Sequence, residues 1–220
     1  MQLSPIAFFH SPFTSKFGIP RQSGIIPQLG GEIIFTPQWR NPEALRGLEG
    51  FDYIWLIWAF SEVNQEASPT VRPPRLGGNK RIGVFATRSP FRPNNIGISS
   101  VRISKIEFCT PQGPIIHVEG ADLMDGTPIF DIKPYLAFTD SHPSAKGGYA
   151  DGEWNKLEVI FPPSLHDKFT EEEISVLHDI LELDPRPHYQ HQSDRIYGMT
   201  YNNKDIHFKV CDNTLTVLPE

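Results

Sequence analysis

A chain of 220 residues with 39% hydrophobic residues, 15 Phe and 4 Trp can bury a sizeable core in one or two domains. Its 21 prolines disfavour long helices and central strands, and its most apolar run, Phe51–Phe60, is too short to cross a bilayer, so no membrane partner is expected. The formal net charge of −6 taken alone argues against a nucleic-acid partner.

The N-terminus lacks a basic segment followed by an apolar one, so no signal peptide is expected. Short strands separated by turns are predicted over Ile6–Phe9, Glu32–Phe35, Phe51–Phe60, Gly83–Thr87, Ile96–Ile103, Ile115–Glu119 and Ile129–Ile132. Asn41–Leu45 reads as one short helix, with Asn41 as cap and Pro42 in the first turn. Strands at this spacing predict a mainly β fold, with a barrel over residues 1–140. The small, polar, Gly-rich stretch Ser141–Gly152 reads as a linker. Beyond it, residues 153–220 predict a small α+β domain. It has a strand over Trp154–Phe161 and a helix opened by the capping box Thr170–Glu173, with Ile174, Leu177, Ile180 and Leu181 on one face. The helix should end before Pro185. A meander follows over Ile196–Tyr201, Ile206–Cys211 and Leu215–Leu218, turning at Asn202-Asn203 and Asp212-Asn213.

Charge is unevenly placed. From Ala67 to Ile106 there is no Asp or Glu, yet the segment holds Arg72, Arg75, Lys80, Arg81, Arg88, Arg92, Arg102 and Lys105. Such a segment suits a localised anionic partner, or a solvated loop neutralised by acids from elsewhere in the fold. Cys109 and Cys211 have no metal-ligand spacing, so no metal is expected. Both are read as buried free thiols of a reducing cytosol.

No G-x-G-x-x-G, Walker loop, H-E-x-x-H or G-x-S-x-G is present, which removes the common nucleotide, zinc-protease and serine-hydrolase readings. Three stretches remain. "IPRQSG", Ile19–Gly24, sets Arg21 and Gln22 in a stiff turn. "FATRSPFRPNNIGISSV", 85–101, interrupts an apolar run with Ser89-Pro90 and Arg92-Pro93. Both steps stay extended, and they free backbone groups that could meet a ligand or lie at a solvated barrel corner. "DLMDGTPIFDIKPY", Asp122–Tyr135, opens with an Asp-Gly turn. It then alternates Ile129, Asp131, Lys133 and Tyr135 on one face, as a surface ion pair or as a pocket lining.

Together with "RGLEGFDYIWLIWAF", "PTVRPPRLGGNKRIG" and "DPRPHY", these stretches resemble the TrmO (TsaA-like, YaeB-like) family, over most of residues 6–136 and again at Asp184–Tyr189. The resemblance implies a single-sheeted β-barrel methyltransferase that uses S-adenosylmethionine. It would methylate the N6 nitrogen of threonylcarbamoyladenosine at position 37 of tRNA, as a cytoplasmic homodimer with the cofactor near the subunit interface. Carried over by motif, the cofactor site comprises Pro20, Arg21, Gln22, Arg88, Ile98, Asp125, Gly126, Thr127 and Pro128, with Ser61 and Glu62 where many members have His-Gln. His10-Ser11-Pro12 likewise replaces a common Arg-Ser-Pro. Arg72, Arg75, Lys80, Arg81, Arg92 and Arg186 are expected to meet tRNA phosphates. Asp125 and Asp131 are the carboxylates considered for a catalytic base. The tail is expected to position tRNA, and a barrel cut after Gly152 to keep donor binding. The competing classes are a non-catalytic tRNA-binding module, for which Ser61-Glu62 speaks, and a nucleoside hydrolase using Asp125 or Asp131.

Overall fold

The computed structural model describes residues 2–64, 66–152, 155–186 and 195–219. In the first half, six strands close into an antiparallel barrel: β1 (Ala7–His10), β2 (Gly30–Phe35), β3 (Tyr53–Ala59), β6 (Ile96–Glu107), β7 (Ile115–Glu119) and β8 (Thr127–Pro134). Around the barrel they run β1-β2-β7-β6-β3-β8. Two short strands, β4 (Thr70–Val71) and β5 (Ile82–Gly83), form a separate ribbon that carries the basic segment. Alternation fills the barrel as period-2 patterning requires: Ile54, Leu56 and Trp58 of β3 point inward with Phe9, Ile33, Val101, Ile116 and Val118.

Several predicted elements differ. Gly83–Thr87 is not a strand: β5 ends at Gly83 and Val84–Ala86 makes a 3₁₀ turn. Asn41 does cap, accepting a hydrogen bond from the Glu43 N–H at 3.1 Å, but the turn it opens is also 3₁₀. The predicted single face of β8 is broken. Ile57 pairs with Asp131 but Trp58 with Ile129, so Phe130 is a bulge; Ile129 turns into the core while Asp131 and Lys133 stay outside. Both cysteines are free but exposed rather than buried.

After the short helix α1 (Ala137–Asp140), the tail forms a four-stranded sheet in the order β10-β11-β12-β9. Its strands are β9 (Glu158–Ile160), β10 (Tyr197–Tyr201), β11 (Lys204–Cys211) and β12 (Thr214–Val217), and the helix α2 (Glu171–Glu182) packs on it. The capping box is present: Thr170 Oγ1 accepts from the Glu173 N–H and the Glu173 carboxylate accepts from the Thr170 N–H. Asn202, Asn203 and Asp212 turn the meander with positive φ. Trp154, His188 and Tyr189 lie outside the described residues.

The two halves interlock. Phe13, Ile26 and Leu29, which precede β2, are buried among Leu177, Phe208 and Leu215 of the tail rather than in the barrel. Phe13 meets Tyr201 edge-on at 5.6 Å, and the Asn202 N–H donates to the Pro12 carbonyl at 2.9 Å. The stretch between β1 and β2, which contains Ile19–Gly24, is therefore held from both sides.

Candidate functional site

The pairing of β6 makes room for a site. Its ladder with β3 runs from Ile96 to Arg102, whereas its ladder with β7 begins only at Arg102. Ahead of that point two segments come to its flank. The Gly24 N–H donates to the Gly120 carbonyl at 2.8 Å, which brings two glycines of positive φ together; a Cβ on Gly120 would lie 3.5 Å from Gly24. One step earlier, Ser23 Oγ accepts from the Ser100 N–H at 3.2 Å. These contacts fix the turn that carries Pro20, Arg21 and Gln22.

The segment from Ala121 to Pro128 ties the remaining pieces together. Asp122 Oδ1 accepts the Ser99 hydroxyl at 2.5 Å, and Ser99 Oγ accepts Trp58 Nε1–H at 3.0 Å. Gly97, paired with Trp58 across the sheet, must be glycine, because a Cβ there would come within 2.4 Å of the indole. Burial pushes the Asp122 carboxyl up to about 6, against the opposing pull of the Ser99 hydroxyl, its own and the Ser23 backbone N–H groups, and the Arg88 charge. Asp125 and Gly126 donate their backbone N–H groups to the Phe13 and Phe9 carbonyls, each at 2.8 Å. Thr127 Oγ1 closes the turn on the Met124 carbonyl at 2.7 Å.

The interrupted strand is a loop braced by several hydrogen bonds of its own. Ser89 N–H donates to Thr87 Oγ1 and Phe91 N–H to Ser89 Oγ. Asn95 Nδ2 donates to the Pro90 carbonyl, and Arg92 Nη1 to the Thr87 and Ser89 carbonyls. Several of the loop's backbone groups thus find partners within it, and the Phe91 and Asn95 carbonyls accept from the Ser68 and Phe60 N–H groups outside it. Arg92, expected on phosphate, is folded back as a brace. Arg88 instead projects outward and donates to Gln22 Oε1, joining two of the three predicted stretches.

The other predicted residues are dispersed. Asp125 Oδ1 accepts from the Ser11 N–H and pairs with His10 Nδ1, both at 3.2 Å. Asp131 pairs with Lys133 at 2.8 Å outside the barrel, which is the surface ion-pair reading. The Ile98 side chain is 48% exposed on the outer wall. Ser61 and Glu62 are exposed at the end of β3, where the Glu62 carbonyl accepts Lys16 Nζ. Arg72, Lys80 and Arg81 are exposed on the β4–β5 ribbon; Arg81 bonds Thr70 and Arg75 bonds the Gly152 carbonyl.

Arg186 needs correction: it is 8% exposed and forks onto Asp184 through Nε and Nη2, each at 2.8 Å, so it is a buried strut rather than a phosphate contact. A cavity of about 760 Å³ between the halves is lined by Lys16, Pro20, Arg21, Arg72, Asp184 and Arg186 among others. Burial lowers the Arg21 pKa, offset by Asp184. Gln22, Arg88 and Asp125–Pro128 do not line this cavity, so of the predicted cofactor residues the 19–24 turn brings Pro20 and Arg21 to the cavity and Gln22 to Arg88. Sequence reading missed Asp122 and Ser99. The acid-free context of Ser99 and the two carboxylates of "DLMD" were visible, but their meeting was not.

Two family models match, described as the tRNA-methyltransferase O N-terminal domain over residues 8–141 and the TrmO C-terminal domain over residues 155–219. A tRNA (adenine(37)-N6)-methyltransferase of Escherichia coli (strain K12) is 36% identical, with 96% of this chain and 94% of that protein aligned. A putative S-adenosylmethionine-dependent methyltransferase RcsF of Pseudomonas aeruginosa is also 36% identical, over 94% and 91%. The crystal structure of TrmO from Pseudomonas aeruginosa superposes with a TM-score of 0.78 at 31% identity, covering 99% of this chain and 97% of that one.

Proposed function

Because the chain belongs to the TrmO family, we propose that it is an S-adenosylmethionine-dependent tRNA methyltransferase acting on N6 of the adenine at position 37, and more narrowly on threonylcarbamoyladenosine there. The observation that carries this reading to named side chains is the junction at the head of β6. There Gln22 and Arg88 meet beside the pair formed by half-buried Asp122 and buried Ser99. The donor set suits the cofactor: an exposed guanidinium for its carboxylate, and an amide and turn backbone groups for its polar edges. When bound, S-adenosylmethionine supplies an electrophilic methyl group on a sulfonium. Arg88 and Gln22 orient it, with Pro20, Arg21 and the Asp125–Pro128 turn shaping the wall. The chain's contribution is alignment of donor and N6 for in-line displacement. Asp125 and Asp131 serve in this reading as a turn anchor and a surface pair, not as a base. Incubating tRNA, protein and donor should add one methyl to the modified nucleoside in mass analysis. Absence of that product, or a product formed without donor, would refute the proposal.

The Arg72, Lys80 and Arg81 face of the β4–β5 ribbon is where tRNA phosphates would lie, beside a cavity wide enough for a splayed nucleotide. In the same proposal, residues 1–140 are the donor-binding domain and 153–220 the tRNA-positioning domain, with the stretch around Phe13–Leu29 crossing between their cores. The subunit contact is proposed on the outer barrel wall, where the exposed Ile96 and Ile98 sit beside Ala59 and Ile57; a second copy would cover them. Two exposed free thiols fit a reducing cytoplasm.

Arg88→Ala is expected to weaken S-adenosylmethionine binding in calorimetric titration by about 1.5–3 kcal/mol, the range for a hydrogen bond to a charged group. An unchanged affinity in the folded variant would remove Arg88 from the site.

A further inference from the structure

Asp122 is a carboxyl without an assigned role at a place where three functional segments meet. Its Oδ1 accepts the Ser99 hydroxyl from β6, and the Ser23 N–H faces it from the 19–24 turn. Arg88 is the charged group opposite it, from the 84–95 loop. Behind Ser99 stands the buried Trp58 Nε1–H, so the hydroxyl is supplied with a donor of its own and can direct its proton to Asp122. Arg88 and Ser23 also flank Gln22, through the Arg88–Gln22 bond and the chain itself. The carboxylate thus sits behind the two side chains that face the donor, linked to both of their segments.

We propose that Asp122, in its ionised form, is the positioning residue of the methyl-donor site, setting the Gln22–Ser23 turn and the Arg88 guanidinium against the head of β6. It acts through those groups and does not touch the donor. This rests on the reading of the site as one for S-adenosylmethionine. Neutral Asp122 no longer attracts Arg88, and its new O–H competes with the Ser99 and Ser23 donors. Because burial raises the carboxyl to about 6, that loss falls within an accessible pH range. The sign for stability is opposite to that for function. A folded-state value above the ordinary 3.8 means the ionised group costs stability fully above pH 6, and the cost disappears below the unfolded value. The charge is therefore kept at the expense of the fold, as expected of a group serving a site.

The test is calorimetric titration of the full chain with S-adenosylmethionine between pH 5 and 8, alongside thermal melts. Wild-type affinity should hold above pH 7 and fall as pH drops through about 6. Asp122→Asn should bind about tenfold more weakly at pH 7.5, the scale of one charge-assisted hydrogen bond, with a flat profile down to pH 5. Its melting temperature at pH 7.5 should match or exceed that of the wild type. Ser99→Ala, which removes the donor that holds the carboxylate down, should move the acidic limb to higher pH. An acidic limb that came from the neighbouring His10–Asp125 pair would persist in Asp122→Asn. A pH-independent wild-type affinity, or an acidic limb retained in Asp122→Asn, overturns the proposal. Failure of the wild type to bind the donor at any pH overturns the site reading itself.

Discussion

A chain ending after Gly152 is expected to lose S-adenosylmethionine binding altogether, although every proposed donor-site residue lies before the cut. The reason is where the 13–29 stretch finds its core. Phe13, Ile26 and Leu29 are at most 3% exposed, and all three are buried in the tail cluster, with Phe17, Ile19 and Ile25 packed against it. Phe17 stacks on Phe208 at 6.2 Å, and Gly18 approaches Met199 so closely that a Cβ would meet its methyl at 2.5 Å. Arg21 Nη2 reaches the Asp184 carbonyl at 3.5 Å. Exposing a buried Phe, Ile or Leu costs about 1.5–3 kcal/mol each, so three or more together outweigh the few hydrogen bonds that tie the turn to β6. The barrel has its own core of Phe9, Ile33, Leu56 and Ile116, and should keep its β-rich circular dichroism. The 13–29 stretch should exchange its amide hydrogens freely. Titration should then show no donor binding. Full-length affinity in the truncated barrel would mean that the turn holds its shape from the barrel side alone. The sequence-based expectation was the reverse, since nothing local marks Phe13 or Leu29 as belonging to a sheet that begins after residue 155.

Arg186→Met is expected to destabilise the protein by about 2–3 kcal/mol, lowering the denaturant midpoint, rather than to weaken tRNA binding at unchanged stability. The guanidinium fork onto Asp184 is enclosed, with the Arg186 N–H also donating to Asp184 Oδ1 at 3.3 Å. Asp184 itself sits at φ 50°, held there by this ring of contacts. Methionine fills similar volume but leaves the carboxylate without its guanidinium. Asp184 is 24% exposed on its side chain, so water recovers part of the loss, which places the value below that of a wholly buried pair. A domain of this size loses roughly 2–4 °C of melting temperature per kcal/mol, so the shift is easily read by calorimetry. An unaltered melt together with a flattened salt dependence of tRNA affinity would return Arg186 to the phosphate-binding surface.

What the amino-acid sequence determined by itself is local. The apolar strand run within Phe51–Phe60, the strand over Ile206–Cys211, the capping box at Thr170–Glu173 and the Asn202-Asn203 turn follow from neighbours a few residues apart, and all are present. The motif strings sufficed to place the chain in its family. Tertiary structure decided what depends on distant partners. A single bulged residue, Phe130, separates Ile129 from the face of Asp131, and period-2 reasoning cannot foresee a bulge. Arg92 and Arg186 look alike in composition to Arg72 and Lys80, yet the first braces its own loop and the second is buried on Asp184. Availability depends on which carbonyls and carboxylates the fold brings near. Asp122 lies 23 positions from Ser99 along the chain, and only the late start of the β6–β7 ladder opens the flank where Ser99, Ser23 and Arg88 reach it. Burial then shifts its carboxyl, a property of surroundings that composition does not carry.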